Sequence, residues 1–156
     1  MSERVESELT LQKKRIGIHD YAMMLAYVAS LRSEDPYRKV GAVALDKSNR
    51  IIATAYNGLA AGYNAEPGFW DDRDARRKYM IHAEVNLCSL FVRGHAKLVA
   101  CTTKPCTSCI QMLCAYDIKE ILYADDYPAS EADVIAERYG VSLIHVPIPK
   151  MNFSIE

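Results

Sequence analysis

The sequence predicts an α/β domain, a three-layer sandwich in which a mixed five-stranded sheet carries helices on both faces. Two observations lead there. A hairpin of apolar, partly β-branched runs (Val40 to Leu45 and Arg50 to Tyr56) precedes alternating helix-like and strand-like segments, and such crossovers pair the later strands in parallel. The 156 residues are half apolar with only 7 Gly and 6 Pro. A chain of that size buries roughly 70% of its unfolded surface, so one ordered domain is expected and disordered or low-complexity readings are excluded. The organisation expected is a flexible arm over 1–16, a single domain over 17–150 and a short tail over 151–156.

Each element has its own signal. Ile18, Tyr21, Leu25, Val28 and Leu31 recur every three or four positions, which predicts an amphipathic helix burying that stripe. Asp35-Pro36 ends it, because the residue before proline is pushed out of the helical region. The two strands of the hairpin are separated by Asp46-Lys47-Ser48-Asn49, side chains that favour a turn. The long connection 57–78 has three glycines and the only tryptophan, Trp70, and ends in Arg73, Arg76, Arg77 and Lys78, which the sequence reads as a solvated helix face, the alternative being a reach to the phosphate of a neighbouring subunit's ligand. Tyr79 to Val92 reads as a second helix, Lys97 to Thr102 as a buried strand, Pro105 to Ala115 as a third helix and Glu120 to Tyr123 as the next strand. Ser130 is expected to cap a last helix that Gly140 closes, before a fifth strand from Val141 to Val146.

Charge and composition exclude several functions. Lys plus Arg number 19 against 20 Asp plus Glu, a formal charge of −1, which leaves no electrostatic footprint for a dedicated nucleic-acid partner. No run approaches the roughly 20 apolar residues that span a bilayer, and the charged start lacks the apolar core of a signal peptide, so no membrane partner and a cytoplasmic location are expected. Cys88, Cys101, Cys106, Cys109 and Cys114 are odd in number and close together, which suits metal or redox chemistry in a reducing compartment better than a disulfide framework.

The chemistry gathers at two helix starts. His82-Ala83-Glu84 lies where the long connection enters a helix, and Pro105-Cys106-Thr107-Ser108-Cys109 lies where a strand enters the next. Side-by-side helices on such a sheet bring these starts together on the side where open α/β sheets bind ligands. Cys106 and Cys109 are three apart and face nearly the same way. Taken alone, a Cys-x-x-Cys fits thioredoxin-like redox sites as well as zinc sites, and a lone histidine at a helix start fits a cap. Together they make a one-nitrogen, two-sulfur set that leaves a tetrahedral zinc one position for water, with Glu84 as the carrier of protons. Cys88, Cys101 and Cys114 read as small buried residues, and His19, His95 and His145 take no role.

His-x-Glu followed by Pro-Cys-x-x-Cys is the signature of zinc nucleobase deaminases. With Ser33-Glu34-Asp35-Pro36-Tyr37-Arg38-Lys39-Val40-Gly41-Ala42-Val43 and Ala55-Tyr56-Asn57-Gly58 upstream, the chain resembles the cytidine and deoxycytidylate deaminase superfamily over nearly all of Tyr21 to Val146. It looks closest to the deoxycytidylate branch. The resemblance implies a cytidine-deaminase-like sandwich and hydrolysis of dCMP to dUMP and ammonia, supplying thymidylate synthesis. It also implies one zinc per subunit on His82, Cys106 and Cys109, with Glu84 as general acid and base, and a homo-oligomer. Asn57 corresponds to the base- and sugar-positioning amide, and the backbone of Ala83 to a contact of the base edge; from their charge and position Arg38 and Lys39 read as a phosphate subsite or a solvated basic loop, and Tyr123 and Tyr127 as an aromatic cover or packing residues. The chain departs from the family pattern in lacking a proline after Asn57-Gly58 and in having Lys104 beside the cysteine pair. Other cytosine substrates (deoxycytidine, dCTP, a modified dCMP) and a catalytically silent zinc fold used for protein contacts stay open at this point.

Overall fold

A computed structural model describes residues 15–150. The tail expected over 151–156, and the arm expected over 1–16 apart from residues 15 and 16, lie outside them. Five strands, β1 (Gly41–Leu45), β2 (Ile51–Tyr56), β3 (Leu98–Thr103), β4 (Glu120–Asp125) and β5 (Ser142–His145), form one sheet in the order β2-β1-β3-β4-β5. β1 pairs antiparallel with both β2 and β3, whereas β3–β4 and β4–β5 are parallel, as the crossovers require. Every residue of β1 and β3 is buried, which marks a strand covered on both faces.

The two faces hold different helices. Ala42, Ala44, Val99, Cys101 and Ile121 pack with α3 (Ala83–Cys88), α4 (Thr107–Ala115) and α5 (Ala132–Tyr139). Their neighbours Val43, Leu45, Leu98, Ala100 and Leu122 pack beneath α1 (Ile18–Ser30). This alternation is the period of two expected of a pleated strand, and it produces the three predicted layers.

The stripe that α1 buries differs from the one its large apolar residues suggested. Ala22, Met23, Ala26, Ala29 and Ser30 face the sheet, while Tyr21, Val28 and Leu31 are exposed. Close approach decides it: a Cβ on Gly41 would stand 1.9 Å from the Ala26 carbonyl oxygen and 2.5 Å from the Ser30 nitrogen, so only small residues can face β1 there.

The predicted turn between β1 and β2 is an Asx turn. Asp46 Oδ1 accepts from the Ser48 and Arg50 amides at 2.8 and 2.9 Å, and Asn49 adopts φ 61°. The helix expected over Tyr79 to Val92 is shorter, Ala83–Cys88, and the helix face read at the end of the long connection is a helix of its own. α2 (Arg73–Tyr79) is capped by Asp72, whose carboxylate accepts from the Asp74 and Ala75 amides, and α3 begins only at Ala83. Between them the chain is extended, because Gly58 captures Ile81 in an antiparallel bridge with N–H···O distances of 3.1 and 2.8 Å. Ser130 does not cap α5 in the way expected; Glu131 holds the cap position, and the Ser130 hydroxyl accepts from the Ala132 amide while donating to the Pro105 carbonyl. Gly140 closes α5 with φ 68°, as its place predicted. Among the described residues, no helix is long and apolar enough to cross a membrane.

Candidate metal centre and active site

The Gly58–Ile81 bridge sets the first donor. It holds the chain extended through Met80 and leaves His82 at the N-cap of α3, with φ −66° and ψ 150°. Cys106 holds the same position on α4, with φ −68° and ψ 169°, and Cys109 lies in the first turn of that helix. The three donor atoms lie within 4.8 Å of one another. His82 Nδ1 stands 3.3 Å from Cys109 Sγ and 3.6 Å from Cys106 Sγ. Tetrahedral zinc at its usual bond lengths separates nitrogen from sulfur by about 3.6 Å, so this borderline-soft donor set fits that ion in both type and spacing.

The electrostatics favour a cation. A hydrogen bond from the Cys109 thiol, then one from His82, lowers Cys106 to about 3, so it is a thiolate at neutral pH. Sharing that hydrogen bond raises Cys109, and contact with the Cys106 sulfur raises His82. Glu84, 4% exposed, is raised by its burial, which favours the protonated form of its carboxyl. Burial pushes Cys88 up to about 11 and Cys101 well above the ordinary thiol range, consistent with packing roles.

These groups open into a cleft of about 270 Å³. His82, Ala83, Glu84, Cys106, Asn57 and Arg38 line it, joined by Tyr127, Lys104 and three arginines of the α2 helix, Arg73, Arg76 and Arg77. The Asn57 side chain is largely committed: Oδ1 accepts from the Val40 amide at 2.9 Å and Nδ2 donates to the Arg38 carbonyl at 2.8 Å, which fixes the segment carrying Arg38. Lys39 and Tyr123 stand outside the cleft lining. The Lys39 ammonium donates to the Ser33 carbonyl, and the Tyr123 ring packs 5.3 Å from that of His145. The aromatic side chain at the cleft is Tyr127, which lies 5.1 Å from the Arg38 guanidinium.

The arginines are the group that sequence reasoning set aside as solvated. Their spacing at 73, 76 and 77 carried a usable signal, since positions three and four apart share one face of a helix. What was not legible was the direction of that face, which the long connection decides. Trp70 and Phe69 stack edge to face at 5.0 Å, Tyr63 stacks on Tyr79 at 5.0 Å, and Arg76 donates to the Trp70 carbonyl while lying 4.2 Å from the Tyr37 ring. This aromatic nucleus turns α2 toward the zinc donors.

A family profile described as "Cytidine and deoxycytidylate deaminase zinc-binding region" matches residues 17–125. A protein of Caenorhabditis elegans named "Probable deoxycytidylate deaminase" is 34% identical over 116 residues, which are 69% of this chain and 57% of that protein. The mouse protein named "Deoxycytidylate deaminase" is 31% identical over 142 residues, covering 85% of this chain and 79% of the relative. Among solved structures, the dCMP deaminase of cyanophage S-TIM5, in complex with dCMP and dUMP, superposes with a TM-score of 0.72 at 23% identity, over 85% of this chain and 99% of that one. That likeness is one of fold.

Proposed function

The chain belongs to the cytidine and deoxycytidylate deaminase zinc-binding family, and from that premise we propose that it hydrolyses dCMP to dUMP and ammonia. The observation that carries the reading is one nitrogen and two sulfur donors within 4.8 Å, of which His82 and Cys106 line, with the buried carboxyl of Glu84, a cleft that also holds Arg38, Arg73, Arg76 and Arg77. His82, Cys106 and Cys109 would hold zinc. When bound, it supplies a water acidic enough to act as a nucleophile near neutral pH.

The chain's own groups do the rest. Glu84 takes a proton from the attacking water and delivers it to N3 of the cytosine ring, then takes the proton left on the C4 hydroxyl and passes it to the amine as its bond to C4 breaks. The exchange balances: C4 loses NH₃ and gains a carbonyl oxygen from water. Burial of Glu84 supports this double duty, because a raised pKa brings the carboxyl nearer the pH at which it must both accept and donate. The Ala83 amide, in the first turn of α3 where helix N–H groups lack partners, meets the base edge. Asn57 acts through the segment it clamps and meets the sugar with its remaining amide hydrogen. Arg38 and the α2 arginines receive the 5′-phosphate, since planar guanidinium groups in a closed cleft favour a phosphorylated substrate over a neutral nucleoside. In place of Lys39 this reading uses the α2 arginines, and of the two tyrosines expected from the sequence it keeps Tyr127 over Tyr123.

The functional chain is a homo-oligomer working on a small nucleotide in the cytoplasm. Exposed Val85, Leu90 and Val92 on and after α3 supply apolar surface for association, which sedimentation would measure. The test of activity is a spectrophotometric panel of dCMP, deoxycytidine and dCTP on metal-quantified protein. The reading expects dCMP to have the highest kcat/KM; preference for deoxycytidine would remove the arginines from the argument, and preference for dCTP would assign them to a longer phosphate chain.

A further inference from the structure

Lys104 is an unusual residue for its place. It joins β3 to the cysteine pair, its side chain is 8% exposed, and burial of a charge is costly unless that charge is paired. Its ammonium reaches Asp133 Oδ2 at 2.8 Å and Asp126 Oδ1 at 3.0 Å, and it lies 4.8 Å from the centre of the Tyr123 ring. The decisive atom is Asp126 Oδ1. The same oxygen accepts the Tyr127 backbone N–H at 2.8 Å. One carboxylate oxygen therefore links a buried cation to the backbone of the tyrosine that lines the cleft.

The rest of the β4–α5 connection is tied at both ends without Lys104's side chain. The Lys104 amide donates to the Asp125 carbonyl at 2.8 Å, the Ser130 hydroxyl donates to the Pro105 carbonyl at 2.6 Å, and the Glu131 amide donates to Thr107 Oγ1 at 3.1 Å. Between those ties sits Tyr127, whose carbonyl accepts the Ser130 amide at 2.9 Å. Only the Asp126 carboxylate fixes its N–H side, and that carboxylate is 65% exposed. Without a cation to hold it, an exposed aspartate turns into solvent.

We propose that Lys104 is a positioning residue for substrate: through Asp126 Oδ1 it fixes the backbone of Tyr127, and so the tyrosine ring and the Arg38 guanidinium beside it, against the nucleotide. The inference rests on the cleft being the nucleotide site. The Lys104 ammonium acts at one remove, and the zinc donors keep their places without it.

The experiment combines Lys104→Met, Lys104→Arg and Asp126→Ala with Tyr127→Ala, alone and in pairs, on zinc-quantified protein. Lys104→Met and Asp126→Ala should each raise the KM for dCMP about tenfold while kcat changes less than about twofold. Lys104→Arg should restore most of the loss. In the Tyr127→Ala background, both substitutions should have no further effect. Hydrogen exchange of the peptide holding the Tyr127 amide should accelerate in Lys104→Met and Asp126→Ala. Three results overturn the proposal: a KM penalty for Lys104→Met that persists in Tyr127→Ala, which would mean direct contact with the anion; parallel loss of kcat and zinc, which would mean support of the cysteine loop; or unchanged exchange at Tyr127. Should Lys104→Met fail to fold, Asp126→Ala, which removes an exposed carboxylate, decides alone. If wild-type protein neither binds nor turns over dCMP, the nucleotide reading falls, and the exchange measurement still judges the Lys104–Asp126–Tyr127 link.

Discussion

Replacing Gly41 with alanine should damage the fold far more than one added methyl suggests. The new carbon would stand 1.9 Å from the Ala26 carbonyl oxygen, 2.5 Å from the Ser30 nitrogen and 3.0 Å from the Ala26 carbonyl carbon, all backbone atoms of α1 or its last residue. An ordinary carbon–oxygen contact is about 3.3 Å, so α1 would have to withdraw by roughly 1.4 Å. A gap of that size under Ala22, Met23 and Ala26 forfeits more than about half of their dispersion contact with the sheet. Overpacking costs typically about 1–3 kcal/mol, and a clash against backbone belongs at or above the top of that range. The loss of unfolded-state freedom on going from glycine to alanine returns only about 0.4–1 kcal/mol. At roughly 2–4 °C per kcal/mol for a chain of this size, the melting temperature of zinc-loaded protein should fall by about 4–10 °C in a circular-dichroism scan. A fall of less than about 2 °C would refute the close approach of α1 to β1 and, with it, the account of why alanines face the sheet.

Glu84→Gln keeps the shape of the side chain and removes its ability to move protons, so turnover should drop by at least about 10³-fold with zinc content unchanged by atomic absorption; activity within tenfold of wild type would dismiss Glu84 as proton carrier. Arg38→Ala should raise the KM for dCMP at least about fivefold and leave deoxycytidine kinetics nearly untouched, as steady-state rates on the two substrates would reveal. In metal-free protein, Cys106 is lowered to about 3 and stays a thiolate well below the pH at which ordinary thiols protonate, so iodoacetamide at about pH 6 should label Cys106 first. Burial raises Cys88 to about 11, so it should stay unlabelled there, and zinc should abolish the Cys106 reaction; peptide mass spectrometry reads all three outcomes.

The zinc donors and Glu84 were legible because each lies at the start of a helix, a place that local sequence marks, and because Cys106 and Cys109 are fixed by helical spacing alone. The sheet order was legible for the same kind of reason: hairpin and crossover connections leave few arrangements. The buried stripe of α1 was not, since hydrophobicity ranks Tyr21 and Leu31 above Ala22 and Ala26, and only the proximity of Gly41 reverses that order. The break between α2 and α3 was hidden because it is made by Gly58, more than twenty positions away, and a long-range backbone bridge leaves no trace in local periodicity. The place of Arg73, Arg76 and Arg77 at the cleft was hidden for a related cause. Lys39 sits beside Arg38 in sequence, yet its ammonium turns back to the Ser33 carbonyl, whereas Arg73 and Arg77 arrive from an excursion whose direction depends on its aromatic nucleus.

The paired amides and carbonyls of Gly58 and Ile81 make a neck for everything that lies between them. Segment 59–80 leaves the domain and returns through one small clasp, so its length and content can change without altering the distance from the end of β2 to His82. Chemistry and the proposed recognition are thereby separable in inheritance: the donors ride on the permanent scaffold, while the cleft-lining arginines ride on a detachable appendage. A graft exchanged at that neck would carry a new preference for ligands into an unchanged reaction centre.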